Sequence, residues 1–422
     1  MVSCWRLARP NAADLERVRN ARLRRVVGHA YDRVPYYRRL FDSAGVRPEH
    51  IRTTADLALI PPTTRKVFQE LPPDELTARD HGKAARITTA GSTGRVVGVL
   101  WNRHEGRTED AIRLREMLLQ GWRPGYRTAL VRSIRQPTSG HLGLLLARLG
   151  LRAARFSIRE SAAEHIDALV RLRPHYLHGY ASYLATIAGT CLDRGARMRP
   201  RLITTSADML TGHFRQLIRE AFGRDPLQIY SCIEVGDIAW ECPQGRRLHV
   251  NSDLLWLEVL RPDGSIAATG EAGAATVTSL HHLVMPRIRY QMGDVAAMGE
   301  EPCRCGSMHP TVSELLGREC DIIKLPDGKL VTSMVFAGLF YDYLRTRAYR
   351  MVETEDGRLV LEVVSDEATS AVLEEWRRRA SEFLDGQVEV EVRLVQEIPR
   401  LESGKRRLIV PRQSPPPDAE GA

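Results

Sequence analysis

The stretch Tyr230-Ser231-Cys232-Ile233-Glu234-Val235-Gly236 decides the fold, because it puts one acidic residue on a glycine-bearing turn directly after a predicted strand. Residues 227–230 predict that strand, and an apolar run continues beyond the turn to Trp240. Open α/β sheets bind their ligands beyond the carboxyl ends of their strands. Glu234 is therefore expected to face a ligand or a metal ion.

The length and composition of the chain indicate a globular protein with more than one domain. A chain of 422 residues exceeds one ordinary hydrophobic core, so two or three domains are expected. No apolar run approaches the roughly 20 residues that span a bilayer. The amino terminus also lacks the apolar segment of a signal peptide. These features predict a cytoplasmic protein that makes no membrane contact.

The basic charge of the chain does not predict a nucleic-acid binder. Lys and Arg number 61 against 52 Asp and Glu, which leaves a net charge of +9. A nucleic-acid surface requires clustered basic residues with interleaved aromatics. Aromatic residues make up only 6% of the chain, and its arginines are spread along predicted helices such as 17–25. No nucleic-acid partner is expected.

The seven cysteines suggest metal ligation rather than disulfides, because an odd number in a chain without a signal peptide argues against a disulfide framework. Cys242, His249, Cys303 and Cys305 together offer the ligand types that a tetrahedral zinc ion prefers. His309 is an alternative fourth ligand, and a set of buried free cysteines is the alternative to zinc. A zinc ion there would be structural, because protein ligands fill every position.

Three further stretches carry residues suited to a nucleotide. The turn Thr88-Thr89-Ala90-Gly91-Ser92-Thr93-Gly94-Arg95 offers hydroxyls and backbone N–H groups to phosphate oxygens, although such a turn alone is more often a simple hairpin. Asp294 follows Gly293 in a predicted sharp turn, and a carboxylate holds the two hydroxyls of a ribose well. Lys405 lies in a basic segment near the carboxyl terminus, which alone would indicate a solvated tail.

In this order the motifs resemble those of the phenylacetate-coenzyme A ligase family, within the acyl-adenylate-forming superfamily. Two segments near the amino terminus, His29-Ala30-Tyr31 and Val34-Pro35-Tyr36-Tyr37-Arg38, are also similar to sequences of that family. The resemblance covers residues 20–411. It implies an α/β fold, with a large multi-subdomain adenylation domain at 1–316 and a small mobile α+β domain at 317–411. Residues 412–422, rich in proline and acid, are expected to be a disordered tail.

The resemblance also implies a role for each matching residue. Glu234 would bind magnesium, and Lys405 would meet the substrate carboxylate and the α-phosphate. The implied nucleotide-binding residues are Thr88, Thr89, Gly91, Ser92, Thr93, Gly94 and Arg95 at the phosphates, Ser206, Ala207 and Asp208 beside the adenine, Tyr230, Asp294 at the ribose, and Arg318 at the ribose or phosphate. The loop 134–141 would help line the acyl pocket, and an exposed polar loop is the alternative.

Among the departures from the family pattern, two bear on catalysis. Ile233 replaces a threonine that typically reaches the ATP phosphate, so one hydroxyl donor is lost while the acid is kept. Cys320 stands where the superfamily has Asp or Lys as the pivot of its mobile domain, and Asp321 is the alternative pivot. These departures leave open a non-catalytic nucleotide-binding protein as an alternative of another class.

The implied function is the ATP-dependent activation of a carboxylic acid of aryl or arylacetic type. The products would be an acyl-adenylate and pyrophosphate, followed by transfer to coenzyme A. Transfer to an amine or a carrier-protein thiol, as in natural-product biosynthesis, is the alternative. The expected cofactors are ATP, magnesium, coenzyme A and structural zinc, and a homodimer is left open.

Overall fold

The computed structural model describes residues 10–88, 97–132, 153–158, 160–300, 302–325, 330–331, 346–366, 368–384, 386–399 and 406–412. The predictions for 89–95, for 134–141 and for Lys405 lie outside these residues, as does the side chain of Cys320. Within the described parts of the chain, every helix is too short or too polar to cross a lipid bilayer.

A helical segment opens the described chain. Helix α1, Ala12–Arg33, begins where Asn11 accepts a hydrogen bond from the backbone of Asp14. Pro35 occupies the first turn of α2, Pro35–Ser43, where its missing N–H costs nothing and where it ends α1. Single-turn to two-turn 3-10 helices follow at Pro48–His50 and Thr54–Leu59.

Among the residues that the structure describes, the centre of the molecule is a twelve-stranded mixed sheet. Its parallel half consists of β4 (Thr128–Arg132), β5 (Ala153–Ser157), β6 (Tyr176–Tyr180), β7 (Leu202–Ser206) and β8 (Leu227–Cys232). The helices α6 (Ala162–Leu172), α7 (Ala181–Asp193) and α8 (Gly212–Phe222) connect these strands. Because the strands run parallel, β7 and β8 end at the same edge of the sheet.

The other half of the sheet is antiparallel except for one short strand. It consists of β9 (Gly236–Glu241), β10 (Leu248–Val250), β11 (Leu255–Leu260), β12 (Ala272–Ser279), β13 (Tyr290–Met298) and β14 (Thr311–Arg318), with β1 (Thr63–Thr64) parallel to β13. The strand order is β11-β12-β13-β14-β10-β9-β8-β7-β6-β4-β5. The turn with Glu234 therefore joins the parallel half to the antiparallel half, between β8 and β9.

A separate hairpin covers this junction. Strands β2 (Ala84–Thr88) and β3 (Gly98–Asn102) pair antiparallel, and α5 (Arg103–Leu119) follows directly. Short helices α3 (Arg65–Glu70) and α4 (Pro73–Leu76) precede the hairpin. Val97 and Val99 pack into one hydrophobic core with Tyr230 and Val235, so the start of β3 lies beside the Glu234 turn.

The carboxyl-terminal part forms a second sheet in the order β19-β18-β17-β20. Its elements are β17 (Thr346–Glu353), β18 (Leu359–Ser365), α9 (Ser370–Phe383), β19 (Val390–Leu394) and β20 (Ile409–Val410), and the short pair β15 (Ile323–Lys324) and β16 (Leu330–Val331) precedes it. This sheet packs against the larger one through Tyr349, whose ring lies 6.1 Å from that of Phe214 in α8. The mixed α/β architecture predicted from the sequence is confirmed. The domain boundary at 316 stays a prediction.

Candidate nucleotide-binding site

Glu234 lies on the tight turn between β8 and β9, with 3% of its surface exposed. Gly236 closes the turn with φ of 85°, a left-handed conformation that a side chain would strain. One carboxylate oxygen, Oε1, lies 3.5 Å from Nη1 of Arg65. The predicted acid is thus buried beside a positive charge at the carboxyl end of β8.

Arg65 is a site residue that the sequence analysis missed. It begins α3 directly after β1, and β1 pairs with β13 so that Thr63 lies opposite Tyr290. This pairing brings Arg65 across to the Glu234 turn. Only the long-range pairing of β1 with β13 shows that Arg65 lies beside Glu234.

A second group joins three predicted residues. Asp294 in β13 lies opposite Arg318 in β14, and Nε of Arg318 is 3.6 Å from Oδ1 of Asp294. The hydroxyl of Tyr230 donates a hydrogen bond of 2.8 Å to Oδ2 of Asp294. Burial, with the adjacent Asp294 charge, raises the pKa of Tyr230 well above its ordinary value, so the phenol stays a donor. The tyrosine therefore fixes the orientation of the carboxylate.

Near Glu234 lie Tyr290 and Arg287, both fully buried. Burial, then the charge of Glu234, raises the pKa of Tyr290 well above its ordinary value. Among the described residues, the Tyr290 hydroxyl and the Nε and Nη2 atoms of Arg287 have no hydrogen-bond partner. Buried polar groups are rarely left unpaired, so these donors mark the interior behind Glu234 as a polar, functional region.

The environment of Cys232 disfavours the ionised thiolate. Burial, followed by the charge of Glu234, raises its pKa well above the ordinary value for a thiol. A reactive cysteine requires the thiolate, which this environment disfavours. The sulfur instead lies 3.7 Å from Sδ of Met292 in β13.

The Ser206-Ala207-Asp208 turn adjoins the strand end that carries Arg318. Ala207 has φ of 75°, which is uncommon for a residue with a side chain. Asp208 accepts a 2.6 Å hydrogen bond from the backbone N–H of Ala181 and so caps α7. A Cβ built on Gly317 would lie 3.6 Å from the Met209 side chain. The turn predicted to border the adenine is thus near Arg318. The Asp208 carboxylate caps the amino terminus of α7.

The predicted cysteine and histidine set does converge. The ligand atoms of Cys242, His249, Cys303 and Cys305 all lie within 4.8 Å of one another. The Nδ1 atom of His249 lies 3.2 Å from the carbonyl oxygen of His309. Metal-bound histidines commonly donate their second N–H to such an oxygen, so this donor set fits zinc. His309 takes part through its backbone and is not in the group of ligands.

Comparison with known proteins gives the class. No protein-family model matches the chain. It is 28% identical over 354 residues to the phenylacetate-coenzyme A ligase of Thermus thermophilus, which covers 82% of this chain and 79% of that protein. It is 27% identical over 298 residues to the phenylacetate-coenzyme A ligase of Escherichia coli, over 68% and 67% of the two chains.

Solved structures share the fold. The crystal structure of 2-hydroxyisobutyryl-CoA ligase in the postadenylation state superposes with a TM-score of 0.81 at 20% identity, over 97% of this chain and 92% of that one. The structure of that ligase in the thioesterification state superposes with a TM-score of 0.66 at 22% identity.

The fold is shared with acyl-CoA ligases of solved structure, and the curated relatives confirm the predicted class of AMP-forming acid–thiol ligase. Within this class, the predicted relationship to the phenylacetate-coenzyme A ligase family is confirmed by the curated relatives, which are 25% to 28% identical to the chain.

Proposed function

We propose that the protein activates a carboxylic acid with ATP to an acyl-adenylate and pyrophosphate, and then transfers the acyl group to coenzyme A. The observation that carries the proposal is the contact of Tyr230 with Asp294 opposite Arg318, which provides an oriented carboxylate and a guanidinium for a ribose and its phosphate. The phenylacetate-coenzyme A ligases among its relatives support an aryl or arylacetic acid as the substrate.

The nucleotide would bind across the junction of the two halves of the sheet. Asp294 would accept hydrogen bonds from the ribose hydroxyls, and Arg318 would balance the phosphate charge. Thr88, the last residue of β2, begins the loop proposed for the phosphates, and the Ser206-Ala207-Asp208 turn would border the adenine. The division into domains at 1–316 and 317–411 is part of this proposal, because the binding residues come from both sides of it.

The acid of the turn suits a magnesium ion. Magnesium usually keeps several waters and takes one or two carboxylates together with substrate phosphates. Glu234 supplies one buried carboxylate, and its 3.5 Å separation from Arg65 is too long for a hydrogen bond that would occupy the oxygen. Such an ion would neutralise phosphate charge during the attack of the substrate carboxylate.

Two anions must meet in this reaction, so preorganised positive charge lowers the barrier. We assign this role to Lys405, which would hold the substrate carboxylate against the α-phosphate. Removing one preorganised group of this kind typically costs about 2.7–4 kcal/mol in the barrier. Arg65 and the buried Arg287 add fixed positive charge around Glu234.

We further propose a structural zinc ion on Cys242, His249, Cys303 and Cys305. The closeness of the four ligand atoms supports it. A Cβ on Gly245 would lie 2.1 Å from Sγ of Cys303, so only glycine leaves room for this sulfur. Four protein ligands leave no open position, so this ion would stabilise the loops after β9 and β13 without taking part in catalysis.

An acid-dependent ATP–pyrophosphate exchange assay over a panel of aryl and arylacetic acids tests the proposal, with thioester formation measured with and without coenzyme A. We expect exchange with at least one acid and a thioester product only when coenzyme A is present. Exchange without a thioester product would indicate that the acyl group is transferred to an acceptor other than coenzyme A. Absence of exchange with every acid, while ATP binds, would overturn the adenylation step.

A further inference from the structure

A buried cluster of one glutamate and two histidines lies behind the Glu234 turn. Glu109 of α5 and the pair His281 and His282, which follows β12, bring one carboxylate oxygen and two imidazoles within 4.8 Å of one another. The Nε2 atoms of His281 and His282 lie 2.7 Å and 3.5 Å from the same atom, Oε1 of Glu109. The set is separate from the four zinc ligands described above.

An oxygen atom holds the far side of each ring. Nδ1 of His281 is 3.0 Å from the carbonyl oxygen of Leu254, which can only accept, so Nδ1 carries a proton. Nδ1 of His282 is 2.9 Å from the hydroxyl of Ser279. Metal-bound histidines show this arrangement, with the second nitrogen donating to a backbone or side-chain oxygen.

The near side of the rings converges on one carboxylate oxygen. Nε2 of His281 is within hydrogen-bond distance of Oε1 of Glu109, whereas Nε2 of His282 lies 3.5 Å from the same oxygen. Nε2 of His282 is fully buried and has no hydrogen-bond partner among the residues that the structure describes. A cation held between the three ligand atoms would satisfy all of them.

We propose that Glu109, His281 and His282 form a second metal site, which binds a divalent transition metal through one carboxylate oxygen and two imidazole nitrogens. In a tetrahedral site with bonds of roughly 2.0–2.1 Å, ligand atoms stand roughly 3.4 Å apart. The His282 separation already has this length, and His281 would exchange its short hydrogen bond for a metal bond. Three protein ligands leave a fourth position for water or another ligand.

The surroundings hold the three ligands in position. The ring of Trp101 stacks on His282 with centroids 5.0 Å apart and planes inclined by 19°. A Cβ on Gly236 would lie 2.0 Å from Oε2 of Glu109, so the carboxylate rests directly on the backbone of the turn. The N–H of Asp237 donates to the same oxygen at 3.4 Å.

This packing connects the metal site to the proposed adenylation site. Gly236 is two residues from Glu234, and Glu109 touches it. A metal ion on Oε1 of Glu109 would fix the carboxylate that supports the turn, and so position Glu234. The metal site itself does not depend on adenylation, because its ligands bind the ion whether or not ATP is turned over.

Cobalt titration of the full chain, after removal of metals by a chelator under reducing conditions, tests the proposal. Co²⁺ bound to the cysteine cluster gives sulfur-to-metal charge-transfer absorption, whereas a site of nitrogen and oxygen ligands gives only d–d absorption. We expect one equivalent of Co²⁺ without the charge-transfer band in the wild-type protein. Loss of this equivalent in Glu109→Gln and in His282→Gln would support the site, provided that the charge-transfer band of the cysteine cluster is unchanged.

The control variant is His29→Gln, because the His29 ring hydrogen-bonds the carbonyl of Leu283 next to the pair and is not a ligand. His29→Gln should still bind the equivalent of Co²⁺ that shows no charge-transfer band. Ser279→Ala keeps all three ligands and removes the oxygen behind His282, so cobalt should bind about 10–100-fold more weakly. Wild-type protein that binds cobalt only with the charge-transfer band, or Glu109→Gln that binds as wild type does, would overturn the proposal in favour of an ion pair alone.

Discussion

Nε of Arg407 donates a 2.6 Å hydrogen bond to Oδ1 of Asp321. Arg407 lies two residues after Lys405, and Asp321 ends the 3-10 helix Glu319–Asp321 at the proposed domain boundary. From Arg407 the chain continues into β20, which pairs with β17. The ion pair thus ties the segment that follows the proposed catalytic lysine to the proposed pivot, next to Cys320.

Asp321→Asn should slow adenylation, because it removes the charge that holds this segment. The pair is partly exposed, so its loss should cost about 0.2–1 kcal/mol. ATP–pyrophosphate exchange should therefore fall by no more than about fivefold, with thioester formation from added acyl-adenylate unchanged. Glu391→Gln, which breaks an exposed pair with Arg393 in the same domain, should leave both rates as they are. An equal effect of the two variants would contradict the role of Asp321.

Tyr230→Phe should weaken ATP binding. The substitution removes the hydrogen bond that orients the Asp294 carboxylate, and hydrogen bonds to charged groups contribute about 1.5–3 kcal/mol. We expect the KM for ATP to rise by about tenfold or more, with a smaller change in kcat. Tyr176→Phe is the matched control, because it removes a buried hydroxyl that hydrogen-bonds Thr204 in the neighbouring strand. An unchanged KM for ATP in Tyr230→Phe would argue against Asp294 as the ribose ligand.

Glu234→Gln should reduce exchange strongly, because the amide keeps the shape of the turn and loses the charge that would bind magnesium. The expected loss is about 100-fold to 1,000-fold, the range found when one preorganised group is removed. The magnesium concentration needed for half-maximal exchange should also rise. Glu314→Gln, at an exposed position of β14, should change neither quantity. Full activity in Glu234→Gln would contradict the proposed role of Glu234 in binding magnesium.

The sequence predicted local features of the candidate site. The turn that carries Glu234 was predicted because a strand, an acid and a glycine follow one another directly, and the grouping of Cys242, His249, Cys303 and Cys305 because cysteine and histidine are rare and chemically distinctive. Arg65 and Glu109 were missed for a different reason. Glu109 meets His281 across 172 positions in sequence, so only the packing of α5 on the sheet brings them together. Local patterns carry no signal for such pairs.

Cys303→Ser should remove one zinc ion per chain and lower the thermal stability of the protein. Structural zinc contributes directly to folding, because the ligand set does not form in the unfolded chain. Metal analysis and thermal unfolding of the purified protein measure both effects. Cys191→Ser is the control, because Cys191 is a buried free cysteine of α7 outside the ligand group. Wild-type protein that contains no zinc and keeps its stability with a chelator would contradict the zinc assignment.

The stability of the protein should depend on pH through His178 in β6. Burial, then the charges of Arg132 and Arg113, lowers its pKa well below the ordinary value of about 6.5. Thr204 and Ser206 hold the neutral ring through their hydroxyls. Below pH 6.5 the unfolded chain therefore binds a proton at this residue that the folded chain does not bind.

The sign of the pH effect follows from this difference in bound protons. Stability falls as the pH drops from about 6.5 toward the folded pKa, with a slope of at most about 1.4 kcal/mol per pH unit from this residue. His178→Gln loses some stability at every pH, because the hydrogen bonds change. Between pH 6.5 and 5, however, the free energy of unfolding of His178→Gln should fall by less than that of the wild-type protein. Urea unfolding of both proteins across this range measures the slopes, and equal slopes would show that His178 takes up its proton in the folded state as well.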